Sequence, residues 1–310
     1  MVGVAGMLNR QLMLLLLLSI GFVLSKKGFM EEKSRHFLSD LIAKIFLPSS
    51  ILAVLMSESA GPQYMKGFLV AVGAGFVIEG FSYIFSIVAV KKNKLEERAV
   101  LRYAIFSPNA SFIGIPIIDG YFGQEGLLYL AALLIPVNIF MFLIGLRLFL
   151  PKDGPRSGIL GQILHPCVVS VLIGLVCMIT GFRPPHFVME TITSLGQCTT
   201  ALSMILIGGI LATVKFKTIF TGSVFYFSAL RLVVLPLLAL GFMLLIRAPA
   251  IVTGVTVVMT GMPAAVATAV LATSNGGNAP YASKLISLST VLSMLTLPLL
   301  AMFVDFILPR

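Results

Sequence analysis

The sequence predicts an all-α polytopic membrane protein: ten transmembrane helices in two inverted five-helix repeats, with helices 4 and 9 broken in mid-membrane. Three observations predict it. The chain reads as ten apolar windows, its basic residues alternate between loops, and two breaks rich in proline and glycine lie about half a chain apart.

Composition sets the class. Of 310 residues, 58% are hydrophobic and 11% charged, against about 25% charged in ordinary soluble domains, and the mean hydropathy is +1.05. No polar stretch is long enough to form a soluble domain. A window of about 20 apolar residues crosses a bilayer. Such windows fall at 8–25, 37–56, 64–90, 99–119, 126–149, 158–180, 189–213, 218–246, 250–272 and 282–307. The first, Leu12 to Leu24, reads as a span rather than a secretory leader, because Lys26 and Lys27 follow it and no small-residue cleavage pattern appears.

Numbering loops by the spans they join, the odd loops hold fifteen Lys and Arg, among them Lys26, Lys91, Lys152, Arg156 and Lys215; the even loops hold three, Lys66, Arg183 and Arg247. Basic loops stay in the cytoplasm, so this asymmetry predicts a multi-pass protein of the plasma or inner membrane with both termini on the non-cytoplasmic side. The net charge of +10 is thereby explained as topology signal, without a basic patch for nucleic acid. Five spans per half is an odd number, so residues 156–310 would enter the membrane from the side opposite to residues 1–155, the inverted arrangement found in secondary transporters.

The fourth window contains SPNASFIGIP, residues 107–116, and the ninth contains Gly261-Met262-Pro263. Proline removes a backbone donor and clashes with the preceding turn. In hydrocarbon every backbone group needs a partner, so such backbone is tolerated only when buried in protein or lining a cavity. A broken helix also exposes amides at the start of its second half, where the dipole is positive, which suits an anionic group. Pro108, Asn109, Ser111, Pro116, Gly261, Met262 and Pro263 are therefore the candidate substrate-binding residues, with Ser203 in the seventh window as a further lining residue. Glu79 is a carboxylate deep in the third window and Arg231 lies in the eighth. An unpaired charge there costs about 2.5–3.5 kcal/mol even on the gentlest insertion scale. The pair is read either as a structural ion pair or as a proton or cation coupling site.

PNASFIGIP followed by YFGQEGL, the opening LLLLSIGFVLSKKGFM with LPSSIL, ALSMILIGGIL in the seventh window, and MPAAVATAVLA with ASKLISLSTVLSMLTLPLL together resemble the auxin efflux carrier family, which includes plant auxin exporters and bacterial permeases for small organic acids. The resemblance implies a fold similar to that of the bile acid:sodium symporters, with spans 4 and 9 crossing at Pro116 and Pro263. It also implies an elevator in which spans 1, 2, 6 and 7 form a scaffold that dimerises and spans 3–5 and 8–10 carry substrate, the homodimer packing through spans 2 and 7. Asn109 would contact the substrate carboxylate.

The remaining polar residues have plainer readings. Lys44, four residues after Asp40, fits a helical ion pair or snorkelling. Ser49, Ser50, Asn138, Gln197, Thr199 and Thr200 line a cavity or bridge helices. His36, His165 and His186 have no metal or catalytic spacing, and Cys167, Cys177 and Cys198 read as small hydrophobes. Gly73, Gly75, Gly208 and Gly209 suggest close helix packing, with no nucleotide-loop pattern. No catalytic cluster and no cofactor motif appears, so the chain reads as no enzyme; its partners are a small organic anion and membrane lipid. An ion-coupled symporter, an anion channel and an intramembrane enzyme are the competing readings. A channel calls for rings of like charge, which this sequence lacks.

Overall fold

A computed structural model describes residues 4–56, 64–91, 93–149, 166–213, 219–274 and 277–308. The proposed boundary at 155/156, His165, and Lys152, Arg156 and Lys215 lie outside them. The described chain is helical. In order, it forms α1 (Val4–Lys26), α2 (Glu32–Leu41), α3 (Leu47–Leu55), α4 (Met65–Ala89), α5 (Leu95–Phe106), α6 (Ile115–Ile139) and α7 (Pro166–Thr180). Then follow α8 (His186–Leu211), α9 (Gly222–Ala229), α10 (Leu235–Leu245), α11 (Ala250–Thr260), α12 (Ala267–Ser274) and α13 (Ala279–Ile307).

Three of these helices open directly after a π-helical turn: Ile42–Phe46 before α3, Ala110–Gly114 before α6 and Leu230–Val234 before α10. Each resumed helix has proline as its second residue, Pro48, Pro116 and Pro236. The cause is common. A proline has no N–H to give the carbonyl four residues back and its ring strikes that carbonyl; here those carbonyls belong to Lys44, Phe112 and Leu232, and the chain widens by one residue to pass them.

The count of ten spans does not hold. Among the described residues, six helices are long and apolar enough to cross a membrane: Glu32–Ala53, Met65–Ala89, Phe112–Ile139, His186–Leu211, Gly222–Leu245 and Ala279–Ile307; Leu12–Lys26, within α1, and Ala250–Thr260 are shorter apolar stretches. With six such helices the division into two inverted sets of five also fails. The physical reason is that a hydropathy window sums apolar residues without registering where a helix is cut. The ninth window is divided between α11 and α12. The second part of the fourth window and much of the fifth run into α6, which bends at Gly123, where φ is 63° and ψ −156°.

By internal contacts the chain divides into two compact units, the first Met1–Phe68, Ser111–Ala131 and Ile163–Thr213, the second Leu69–Ala110, Ala132–Gln162 and Val214–Arg310. In the first, α1 packs against α8 with backbones nearly touching. A Cβ on Gly21 would lie 2.0 Å from the Ile205 carbonyl oxygen, and one on Gly208 would lie 1.9 Å from that of Leu18. Both positions therefore admit only glycine, the small-residue packing expected when helices associate without a hydrophobic drive between them. Lys44 closes the expected helical ion pair, its Nζ 2.7 Å from Asp40 Oδ2.

In the second unit, α4 shows an apolar stripe outward, Val77, Phe81, Ile84 and Val88, at helical spacing. Helix α11 is the reverse: every residue from Val252 to Thr260 is buried. α5 is buried from Val100 through Phe106 apart from Arg102. The two interrupted helices are thus core elements, and their ends fall inside the protein.

Candidate functional site

Helix α5 stops at Phe106 and α11 at Thr260, and the segments that follow run side by side as a short antiparallel pair, Pro108 opposite Ala264. The Asn109 N–H donates to the Pro263 carbonyl at 2.8 Å, and the Ala265 N–H donates to the Ser107 carbonyl at 3.0 Å. Two helices that have each lost their own ladder thereby satisfy one another, as burial demands.

Side chains complete the junction. Arg231, 1% exposed, donates from Nε to the Met262 carbonyl at 2.9 Å and from Nη1 to the Ile105 carbonyl at 2.6 Å. Ser289 of α13 accepts the Ala264 N–H at 3.2 Å while donating its own hydroxyl to the Leu285 carbonyl at 2.6 Å. Glu79, 2% exposed, feels the charge of Arg231, but no salt bridge joins these two.

Several polar atoms of this unit are buried with no hydrogen-bond partner: Asn109 Nδ2, Thr268 Oγ1, Ser287 Oγ, Thr290 Oγ1, Arg231 Nη2 and Glu79 Oε2. An unmet buried donor or acceptor costs about 1–3 kcal/mol, so a group of them in one unit calls for an occupant. At the second break, the amides of Thr268 and Ala269 turn back onto the Ala265 and Val266 carbonyls at 3.0 Å each. The amides this end still offers are those of Val266 and Ala267.

The sequence matches the family described as membrane transport protein over residues 8–159 and 155–301. The chain belongs to this family. Membrane transport proteins of this superfamily include the auxin efflux carriers, and membership makes the chain a polytopic membrane transporter rather than an enzyme. It is 26% identical over 302 residues to an uncharacterized transporter of Methanothermobacter thermautotrophicus, covering 95% of this chain and 97% of that one. A second uncharacterized transporter, from Methanocaldococcus jannaschii, is 25% identical over 304 residues, covering 93% and 96%. The uncharacterized transporter YfdV of Escherichia coli is 23% identical over 223 residues, covering 68% and 70%.

Within this membrane transport protein, the sequence-selected residues separate. Pro108, Asn109, Met262 and Pro263 meet at the antiparallel pair, and Gly261 ends α11 beside it. Pro116 is buried in the first turn of α6, and Ser111 lies in the π turn before it. Ser111 and Pro116 fall in the first compact unit, as do Ser203, fully buried with an unpartnered hydroxyl, and the buried Thr199. Sequence reasoning missed Ser107, Ser289, Ser287, Thr290 and Thr268. The signal was present: SLSTVLS, residues 287–293, places four hydroxyls in an otherwise apolar helix. A cavity of about 190 Å³ lies elsewhere in the unit, on the outer side of α4 and α10 between Val77, Ile78, Phe81, Leu235, Leu238 and Phe242. Its apolar, half-open walls suit lipid rather than a polar solute. Among the described residues no cluster of His, Cys, Asp or Glu could hold a metal.

Proposed function

We propose that the protein is a secondary transporter of small organic anions, carboxylates of the malate, malonate or indole-acid kind, and that the junction of the two breaks holds the carboxylate. The observation that carries this reading is Asn109 Nδ2, a donor buried without a partner at the point where α5 ends and meets the second break. A buried donor kept unsatisfied is stable only if something supplies the acceptor for part of the cycle. The amides of Val266 and Ala267 add two more donors, and interrupted helices present such ends to anions in other transporters.

The second compact unit contains Ser107 to Asn109, the second break, Glu79 and Arg231, which supports an elevator in which this unit carries the solute and the first unit is the scaffold. The reading extends to a homodimer packed through residues 37–56 and 189–213, to termini on the non-cytoplasmic side, and to a driving force from a gradient or membrane potential, about 2.3 kcal/mol per charge and 100 mV. Proton or sodium coupling through Glu79 belongs to it as a variant.

The test is thermal stabilisation of the purified protein by malate, malonate and indole-3-acetate, with and without sodium and across pH. At least one acid is expected to raise the unfolding midpoint in wild type and to lose that effect in Asn109→Ala. Stabilisation that survives Asn109→Ala would place the carboxylate elsewhere.

A further inference from the structure

We infer that Arg231 is the positioning residue of the junction: one guanidinium that ties together the carbonyl ends of both interrupted helices and so fixes the spacing of the two breaks. A helix leaves its last carbonyls without partners and carries partial negative charge there. Deep in this unit two carbonyls stand at such ends, that of Ile105 in the last turn of α5 and that of Met262 two residues past the end of α11. Arg231 meets both, with Nη1 on one carbonyl and Nε on the other, at 2.6 and 2.9 Å. These N–H groups belong to one rigid planar guanidinium and point out from different edges of it, Nη1 on the side of Cδ and the Nε–H on the other, so the two carbonyls are held at a separation that the side chain itself dictates. An ammonium on a flexible stem imposes no such separation.

The surroundings agree with this assignment. Arg231 sits in the π turn ahead of Pro236, where the helix is widened and its side chains re-aimed. Glu79 is near enough to offset the charge, yet does not take the guanidinium's hydrogen bonds. One buried cation thus occupies the negative ends of both broken helices and leaves the positive ends of the helices that resume unquenched. These contacts stand whether or not the junction binds a carboxylate, so the experiment needs no substrate.

The experiment is disulfide trapping across the antiparallel pair. Residues opposite one another in such a pair have Cα atoms about 4.5–5.5 Å apart, within reach of a disulfide. Pro108→Cys with Ala264→Cys, in a chain whose Cys167, Cys177 and Cys198 are changed to alanine, is expected to cross-link under mild oxidation. Adding Arg231→Gln should slow cross-linking by about tenfold or more, and Arg231→Lys should give an intermediate rate. Glu79→Gln should leave the rate near that of the parent. So should Arg98→Gln, which removes a different arginine bonded to carbonyls, those of Asn93 and Lys91. If Arg231→Gln alone fails to fold, the double variant Arg231→Gln/Glu79→Gln, free of an uncompensated charge, gives the answer: slow cross-linking supports the inference. Parent-rate cross-linking in any folded variant lacking Arg231 overturns it, as does equal slowing by Arg98→Gln or a parent pair that does not cross-link.

Discussion

The two breaks do the same mechanical work with different materials. The first, residues 107–109, brings polar side chains of its own: Ser107 and Asn109, both buried, with Asn109 Nδ2 unpartnered. The second, residues 261–266, is Gly-Met-Pro-Ala-Ala-Val and contributes only backbone. Its polarity is borrowed, from Ser289 on the Ala264 amide and from Arg231 on the Met262 carbonyl. The difference separates recognition from support. On the proposed function, side chains that meet the solute are left without protein partners, and backbone that must hold its shape is given them.

Arg231→Met removes the support of both breaks at once. Two buried carbonyls lose their donor, at about 1–3 kcal/mol each, so a loss of about 2–6 kcal/mol is expected. Unfolding by SDS titration in mixed micelles measures it, and a change below 1 kcal/mol, roughly the size of a surface substitution, would show that the clamp is dispensable.

Ala265→Pro acts on one side of the comparison, since it deletes the N–H donated to Ser107 and places a ring where the two segments pair. About 3 kcal/mol is expected, by the same titration. A milder result would mean that the antiparallel pair is held by its flanking side chains rather than by its own bonds.

Ser289→Ala takes away what the second break borrows. The Ala264 amide is left buried without an acceptor, for about 1–3 kcal/mol, while Ser287→Ala and Thr290→Ala, whose hydroxyls have no partner to lose, should be close to neutral. Three single variants of one helix, compared in one titration, separate a hydroxyl that supports the fold from hydroxyls that wait for something else.

Parts of this arrangement were legible in the sequence. The windows 64–90 and 282–307 anticipate α4 (Met65–Ala89) and α13 (Ala279–Ile307) closely, because a lipid-facing helix announces itself by apolar length alone. The breaks were legible because Pro108 and Pro263 forbid a continuous ladder. The number of spans was not, since the same windows cannot register that α11 stops at Thr260 or that α6 gathers residues from two windows. Nor were the acceptors of Arg231. A buried arginine can be paired with a carboxylate from the sequence, but a carbonyl at a helix end has no residue type, so the contacts with Ile105 and Met262 leave no trace in the letters.

The smallest expected effect on stability is the sharpest test of the comparison. Asn109→Ala removes an amide whose Nδ2 donates to nothing, while the backbone N–H that bonds Pro263 remains. Its stability should stay within about 1 kcal/mol of wild type, or rise slightly, because deleting an unsatisfied buried donor removes a cost. If the amide belonged to the support, the same change would destabilise like Ser289→Ala. Near-neutral stability together with loss of carboxylate-induced thermal stabilisation is what a residue kept for the solute should give. Asn109→Asp sharpens the point: it is isosteric, and the added negative charge should abolish stabilisation by a carboxylate, whereas a cation site at the same place would bind more tightly.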